Sequence, residues 1–311
     1  MSLNENLNTK LIKVENLTKD YGYGRGIFNV NIFVKQGEVL GFLGPNGAGK
    51  TTTIRHLMGF SVPHSGNCYV NNLSCFDNSR TIQKDLGYLP GEIALPENLT
   101  AIEFIQYMAK LRKVKNMDYT NYLISLFKLD IKKNIKLKRM ALGERRKLAI
   151  ITAFMHDPKI LVLDEPTSGL DPIGQITFIE FIREEKKRGK TILLSSHLFR
   201  EVEAVCDRIS IIKDGMIVSE CDVKDIKYRN KKTFIITFKT KEDWKRFKNE
   251  SFNIIYENVD FLQIKIFIND EETNKLINTL LKYNLSSFQE QKYSLEDYFM
   301  HFYDRNNKEV K

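Results

Sequence analysis

Short apolar runs alternate with stretches of helical spacing through the first two thirds of the chain. The runs Val39–Leu43 and Ile160–Leu163 contain no charged residue, as expected of strands buried on both faces of a parallel sheet. Between them, Ile54, Leu57 and Met58 recur at helical spacing. This alternation predicts an α/β domain with a parallel sheet. Its predicted strands cover residues 11–17, 28–35, 38–43, 67–72, 86–89, 160–163 and 191–195, and its predicted helices include 50–60 and 172–188.

The pattern changes in a central segment and again near residue 222. From about residue 92 to 156, apolar residues such as Phe104, Ile105 and Met108 keep helical spacing, which predicts a helical insertion in the α/β domain. Asp214-Gly215 separates two short apolar runs, a strong signal for a hairpin. We expect this hairpin to close the first domain, which then covers residues 1–222.

The remainder of the chain predicts a second, smaller domain. After a Lys-rich linker at 223–232, the predicted elements follow in the order strand, helix, strand, strand, helix, strand, with a last helix from Ser294. A ferredoxin-like fold satisfies this order, so residues 233–311 are predicted to form a small α+β, ferredoxin-like domain. No cluster of catalytic residue types stands out in it.

A glycine-rich segment follows the run Val39–Leu43. It fits the phosphate-binding pattern of Gly, four residues, then Gly-Lys-Ser/Thr, in which backbone N–H groups and the N-terminus of the following helix face phosphate. Lys50 adds a positive charge for the β- and γ-phosphates, and the Thr51 hydroxyl is suited to ligate Mg²⁺. The segment predicts a nucleotide site in a P-loop NTPase. Its residues are Gly44, Pro45, Asn46, Gly47, Ala48, Gly49, Lys50, Thr51 and Thr52.

Four other residues carry candidate chemistry. Asp164 and Glu165 end a buried strand, at the sheet edge where open α/β folds bind ligands. Downstream of a phosphate loop, this strand is the one expected to hold Mg²⁺ in a P-loop ATPase. His197 follows the strand 191–195, and the strand order places it at the same edge. Tyr21 lies just upstream of the loop and could stack on adenine, although packing at a strand end explains it equally well.

Composition indicates the ligands and the cellular compartment that suit this protein. Lys plus Arg at 48 against Asp plus Glu at 39 gives a net charge of +9, which suits nucleotide, an anionic membrane face or nucleic acid and selects none of them. The four cysteines have no metal-ligand spacing, which favours a reduced, cytosolic compartment without zinc or disulfides. No apolar run approaches the roughly 18 residues that span a bilayer, so a membrane process would need spans from another chain.

Taken in order, these segments resemble the ATP-binding subunit of ATP-binding cassette (ABC) transporters. The resemblance rests on GPNGAGKTT at 44–52, on ILVLDEPTSGLDP at 160–172, and on SSH at 195–197 followed by an acidic helix and IIKDGMI. It covers about the first 220 residues. The closing run Tyr293–Met300 resembles the end of subunits in the drug and antibiotic exporter branch.

The resemblance implies a role for each matched residue. Tyr21 would stack on the adenine ring, and Asp164 would hold Mg²⁺ through water. Glu165 would be the general base that polarises the attacking water, and His197 would contact the γ-phosphate. Asp171 would lie in the loop that crosses to a partner subunit. ATP and Mg²⁺ are the implied cofactors.

Two segments depart from the family pattern. The signature, usually Leu-Ser-Gly-Gly-Gln, reads Met-Ala-Leu-Gly-Glu at 140–144, so a Ser hydroxyl and one Gly are missing. Gly143 can still offer a backbone N–H at a helix N-terminus, whereas Glu144 would repel a nearby γ-phosphate. Gly91 replaces the family's Gln, with Glu92 beside it as a possible substitute. These changes put the rate and symmetry of hydrolysis in doubt, but not nucleotide binding.

The resemblance also implies partners. In this family the signature acts on ATP held by the other subunit, so one phosphate loop and one signature per chain imply a dimer of two cassettes, identical or different. Separate transmembrane permease subunits would be contacted through residues 87–101 and the helical insertion. The expected location is the cytoplasmic face of the membrane, and the expected function is ATP hydrolysis that powers transport, with export favoured by the closing run.

Two alternative functions stay open at this stage. One is a soluble ABC ATPase acting on nucleic acid or ribosomes, to which the charge of +9 is suited. A single cassette and the lack of sustained heptads count against that alternative, and nucleic acid is therefore not the expected partner. The other is a cassette that binds ATP with little hydrolysis because its signature is altered.

Overall fold

The computed structural model describes residues 9–131, 135–227, 231–291 and 295–303. The chain divides into two compact units, residues 1–222 and 223–311. The first unit contains β1 (Lys10–Asp20), β2 (Gly26–Lys35), β3 (Val39–Leu43), α1 (Lys50–Leu57), β4 (Ser65–Val70), β5 (Leu73–Ser74), α2 (Ser79–Asp85), β6 (Leu86–Leu89), α3 (Ala101–Leu111), α4 (Asp118–Leu126), α5 (Leu142–Phe154), β7 (Ile160–Asp164), α6 (Pro172–Lys187), β8 (Thr191–Ser196), α7 (Phe199–Val205), β9 (Arg208–Lys213) and β10 (Met216–Asp222).

The central sheet of the first unit has the strand order β10-β9-β3-β8-β7-β6. Strand β10 pairs antiparallel with β9, and the other neighbours are parallel. Every residue of β3 and β8 is buried, and neither strand contains a charged residue. In the register, Leu43 pairs with Ser196 and Asp164 pairs with Ser195. The C-terminal ends of β3, β8 and β7 therefore meet at one edge of the sheet.

A second, antiparallel sheet covers the phosphate-loop side of the first unit. Its order is β2-β1-β4-β5, and its alternating apolar residues, such as Ile12, Val14 and Ile32, are buried in a core shared with α1 and β3. The segment predicted to be helical contains α3, α4 and α5, together with a 3-10 turn at Leu137–Arg139. Helix α3 begins with a capping box, because Thr100 and Glu103 each accept a backbone N–H of the other.

The second unit is built on one antiparallel sheet with the order β12-β13-β11-β14. One face of this sheet is packed with apolar side chains, among them Phe234, Ile236, Ile264 and Ile266, together with residues of α9 and α10. Its elements are α8 (Val223–Lys227), β11 (Lys231–Phe238), α9 (Lys241–Phe247), β12 (Asn253–Asn258), β13 (Gln263–Asn269), α10 (Thr273–Leu280), β14 (Leu285–Gln291) and α11 (Leu295–Tyr303), with a 3-10 turn at Asp270–Glu272.

The structure differs from the sequence prediction in the predicted linker and in two short elements that were not predicted. The predicted linker 223–232 is not a linker throughout, because Val223–Lys227 forms α8 with two buried apolar residues and β11 already begins at Lys231. Strand β5 and helix α2 were not predicted, since α2 buries only Ile82 and so has no apolar period. Residues 228–230 of the predicted linker, and Tyr293 and Ser294 of the closing run, lie outside the described residues.

Within the described ranges, none of the helices combines the length and the apolar character that a bilayer crossing requires.

Candidate active site

The phosphate-binding loop joins the end of β3 to the start of α1. Its exposed part is Pro45-Asn46-Gly47, while Ala48 is buried and its carbonyl oxygen accepts a hydrogen bond of 3.0 Å from Gly215 N–H. Gly49 has φ +113°, and a Cβ at this position would lie 2.6 Å from Cγ2 of Ile27. Glycine is therefore required here for both conformation and space. The loop is open to solvent on one side and anchored to the hairpin on the other.

Lys50 lies inside the curve of this loop. Its side chain is only 6% exposed, and Nζ donates to the carbonyl oxygens of Gly44 at 2.6 Å and Pro45 at 3.2 Å. Nζ also lies 3.1 Å from Oε1 of Glu165. A buried ammonium group needs such partners, because its charge has lost most of its water. The structure thus brings Lys50 and Glu165 into direct contact.

Glu165 follows the last residue of β7 in a left-handed conformation with φ +48°. Its N–H donates to Ser195 O at 3.1 Å, which fixes the turn against the neighbouring strand β8. Its second carboxylate oxygen, Oε2, lies 2.6 Å from Nδ1 of His197, whose side chain is 46% exposed. One oxygen of Glu165 therefore contacts Lys50 and the other contacts His197.

Asp164 forms a separate group with two hydroxyls. It is fully buried, and its Oδ2 accepts a hydrogen bond of 2.8 Å from Thr51 Oγ1 while its Oδ1 accepts one from Ser195 Oγ. Thr51 and Asp164 thus place a hydroxyl and a carboxylate oxygen side by side at the start of α1. Oxygen donors of this kind are the ligands that Mg²⁺ prefers, so the residues present fit this ion.

Arg146 connects the surrounding loops and was not predicted. From the buried face of α5, its Nε donates to Ser168 O at 2.7 Å, and its terminal nitrogens donate to Pro90 O at 3.0 Å and Gly91 O at 2.7 Å. Burial lowers the pKa of its guanidinium group, and the charges of Asp164 and Glu165 oppose that shift. The only signal in the sequence is its spacing of four residues from the buried Ile150, which puts both on one helix face.

Of the two segments that depart from the family pattern, the one at Gly91 lies against this site, and the one at 140–144 lies against the loop after β7, near Gly169. A Cβ added to Gly91 would lie 3.1 Å from Oδ2 of Asp164, so this position faces the carboxylate although it has no side chain to reach it. Glu92, the suggested substitute, is exposed. Gly143 lies in the first turn of α5, and Ala141 at the N-cap makes no side-chain capping bond. The N-terminus of α5 therefore lacks the cap that a Ser hydroxyl supplies.

Three further predicted residues make their contacts outside the group formed by Lys50, Asp164, Glu165 and His197. Asp171 is the N-cap of α6, where Oδ1 accepts the N–H of Gly174 at 3.2 Å. Thr52 is half-buried, and its carbonyl oxygen lies 2.8 Å from Nδ1 of the buried His56. Tyr21 is 58% exposed, with its ring 5.9 Å from Nζ of Lys19.

Comparison with known proteins identifies the family. Residues 27–168 match the family model described as ABC transporter. The bacitracin transport ATP-binding protein BcrA of Bacillus licheniformis is 37% identical over 223 residues, covering 71% of this chain and 73% of that protein. The chain belongs to the ABC transporter ATP-binding proteins. This ABC cassette is accordingly an ATPase subunit that powers a transporter, and it has the P-loop fold of the family.

Two other matches extend the comparison. The linearmycin resistance ATP-binding protein LnrL of Bacillus subtilis is 30% identical to the cassette over 308 residues, covering 95% of this chain and 99% of that protein. Among solved structures, the ATP-binding cassette MJ0796, described as a dimer in a post-hydrolysis state bound to ADP and Pi, superposes with a TM-score of 0.61 at 25% identity, over 68% of this chain and 98% of its own. The match to LnrL covers nearly the whole chain and so includes the second unit. The match to MJ0796 covers 68% of the chain, a share about as long as the first unit.

Proposed function

We propose that this cassette binds ATP together with Mg²⁺ at the phosphate loop and hydrolyses it with Glu165 as the general base. The observation that carries the proposal is the position of the Glu165 carboxylate between Lys50 and His197, at 3.1 and 2.6 Å. Thr51 and Asp164 would hold Mg²⁺, which when bound neutralises charge on the phosphates. ATP binding itself follows from membership of the family, whereas the ion and the roles of these residues are the proposed part.

The contacts of Lys50 suggest how nucleotide prepares the base. The ammonium group contacts two loop carbonyls and Glu165, so phosphate oxygens would compete with Glu165 for it. This exchange would release Oε1 of Glu165 to accept the proton of the attacking water. His197 on the other carboxylate oxygen would keep the group oriented during the exchange, and its exposed ring is free to approach the γ-phosphate.

Removal of the metal tests this proposal directly. The purified full-length chain is freed of divalent ions with a chelator and assayed for phosphate release from ATP. We expect turnover to disappear and to return when Mg²⁺ is added, while binding of a fluorescent ATP analogue persists with reduced affinity. Hydrolysis that continues at the original rate after thorough metal removal would contradict the assignment of Thr51 and Asp164.

We also propose that two cassettes associate through the face formed by the starts of α5 and α6. Leu142, Ile173 and Ile176 are exposed there, and Leu142 packs closely on Gly169, where a Cβ would lie 3.1 Å from its side chain. Exposed apolar residues gathered on one face favour a protein partner. The relative MJ0796 is described as a dimeric cassette. In this arrangement Gly143 and Asp171 would approach ATP held by the other copy.

The membrane partner and the direction of transport are proposals as well. We infer that the cassette docks on the cytoplasmic face of the membrane against separate permease subunits and drives export. The relatives named for bacitracin transport and linearmycin resistance support an antibiotic as cargo. Affinity purification of the tagged chain from its native membrane, in mild detergent with ATP, tests this. Recovery of a polytopic membrane protein is expected, and recovery of ribosomes or nucleic acid without one would refute it.

One observation favours a second candidate, a cassette with little hydrolysis of its own. The N-cap of α5 is Ala141, which forms no side-chain bond, and Leu142 occupies a position where the family has glycine. Such a cassette would bind ATP and depend on a different partner chain with an intact signature. Steady phosphate release by the purified chain alone would eliminate this candidate.

For the second unit, we propose a ferredoxin-like domain that begins near residue 233, with the cassette proper ending near residue 222. The support is the strand order β12-β13-β11-β14 with all neighbours antiparallel, which is the order of a split βαβ fold. Expression of residues 223–311 alone tests the division. A cooperative thermal transition is expected, and an unfolded product would contradict it.

A further inference from the structure

A buried carboxyl group lies next to the segments that carry Glu165 and His197, and it has no part in the mechanism proposed above. Glu201 belongs to α7 and is only 3% exposed. Its Oε2 accepts two hydrogen bonds, from Ser196 Oγ at 2.6 Å and from Thr167 Oγ1 at 3.3 Å. Its Oε1 is buried and has no hydrogen-bond partner among the described residues. Such a group is costly in a folded protein, so it calls for an explanation.

The two hydroxyls belong to the two segments that carry the proposed catalytic groups. Ser196 immediately precedes His197, and its Oγ also accepts the N–H of Leu198 at 2.9 Å, so it fixes the backbone on both sides of the histidine. Thr167 lies in the turn that begins at Glu165, which is closed by a hydrogen bond of 3.1 Å from Ser168 N–H to Glu165 O. One carboxylate oxygen therefore joins the Glu165 turn to the His197 segment.

We propose that Glu201 is a positioning residue for ATP hydrolysis, and that it holds Glu165 and His197 in contact by accepting the hydroxyls of Thr167 and Ser196. The inference rests on the proposed function, which assigns Glu165 and His197 to the reaction. Glu201 itself touches neither residue through a hydrogen bond, so it acts only through the two hydroxyls. Without it, both hydroxyls lose a shared acceptor at a buried place, and the two segments can shift relative to each other.

The chemistry of the position distinguishes this role from simple packing. For stability alone an apolar side chain would serve better, because a buried carboxyl group with one unpaired oxygen is unfavourable. Burial raises the pKa of Glu201 to about 7, the two hydroxyls oppose that shift, and the charge of Glu165 adds to it. The shift comes mainly from burial, so this carboxyl group is kept from water at a place where a charged side chain is costly.

The test compares Glu201→Ala, Glu201→Gln and Ser196→Ala in the full-length chain, with Glu203→Gln as the matched control on the same helix. We expect Glu201→Ala and Ser196→Ala to lower kcat by roughly tenfold with KM for ATP within about twofold, since binding groups are untouched. Glu201→Gln should recover most of the loss, because its amide oxygen still accepts the hydroxyls. The double variant Ser196→Ala/Glu201→Ala should lose no more than either single variant.

A second readout does not depend on turnover. The imidazole resonances of His197, assigned by their loss in His197→Asn, should shift in Glu201→Ala and Ser196→Ala and stay unchanged in Glu203→Gln. Unchanged resonances together with wild-type kcat in Ser196→Ala would overturn the inference, even if Glu201→Ala failed to fold. The Glu165→Gln variant distinguishes a failure of the positioning role from a failure of the proposed function. If it is inactive while the Glu201 and Ser196 variants are normal, only the positioning role fails; if it keeps full activity, the proposed function fails.

Discussion

The nucleotide side and the signature side of the first unit differ in how completely they are built. On the nucleotide side, the phosphate loop, Asp164, Glu165 and His197 meet through contacts of 2.6 to 3.2 Å at the ends of neighbouring buried strands. On the signature side, α5 begins at an uncapped Ala141, and an exposed Leu142 covers Gly169. The side chains of the first region contact one another, whereas in the second region no side chain caps the N-terminus of α5 at Ala141.

This difference bears on which steps the sequence changes can affect. The groups proposed to bind phosphate and to activate water lie within one chain and contact one another, so the proposed binding and chemical steps need no altered residue. The altered residues lie on a surface that acts on a second cassette in the proposed dimer. We therefore expect substitutions on the nucleotide side to abolish function and substitutions on the signature side to adjust its rate.

The largest effect is expected from Glu165→Gln. The amide cannot accept the proton of the attacking water, so turnover should fall by roughly 10²–10⁴-fold. ATP affinity should stay intact or rise, because the ion pair with Lys50 no longer competes with phosphate. Phosphate release and binding of a fluorescent ATP analogue measure the two quantities. Glu180→Gln on the exposed face of α6 is the control, and unchanged turnover in Glu165→Gln would remove this residue from the role of base.

Lys50→Ala should act on binding. The variant removes the buried charge that is proposed to contact the phosphates, and nucleotide affinity is expected to fall by about 10²-fold or more. Isothermal titration with ATP measures the loss, with the exposed Lys187→Ala as a control for net charge. Normal ATP binding by Lys50→Ala would refute the assignment of the phosphate loop.

The pH dependence of stability should reveal Glu201. Its pKa in the folded protein, about 7, lies above the ordinary value of 4.5, so the folded state keeps a proton that the unfolded state has lost. Stability is therefore expected to fall as pH rises from about 4.5 to about 7, by roughly 3 kcal/mol, and to level off above that. Urea unfolding across this range should show a flatter profile for Glu201→Gln. An identical slope in both proteins would contradict the assigned pKa.

The smallest effect is expected from repair of the signature. Ala141→Ser supplies an N-cap hydroxyl and should stabilise the start of α5 by about 1 kcal/mol. Combined with Leu142→Gly, it should raise ATP turnover by a few-fold to roughly tenfold, with little change in ATP affinity. The single variant Ala141→Gly serves as control, since it lacks the hydroxyl. A repaired signature with unaltered turnover would show that the signature side does not limit the rate.

A feature of the structure is predictable from the sequence when it depends on local residues, and it is not when it depends on contacts with distant segments. Strands β3, β7 and β8 were predictable because burial on both faces makes their central residues apolar, and the phosphate loop because its glycines are fixed by local geometry. The family's P-loop fold is confirmed by the comparisons. Arg146 and Glu201 were not found, because their partners are backbone carbonyls and hydroxyls from distant segments, and no periodicity records such contacts. Helix α8 was missed since only Val223 and Ile226 break a lysine-rich stretch.

The three carbonyl contacts of Arg146 have a mechanical consequence. A guanidinium group is planar and presents its donors at fixed angles, so Pro90, Gly91 and Ser168 cannot shift independently without breaking short hydrogen bonds in a buried place. A displacement that arrives at the loop after β6 is therefore shared at once with the loop after β7 and with α5. Within a single chain, the surface proposed to contact the membrane partner and the surface proposed to contact the second cassette are therefore expected to move together.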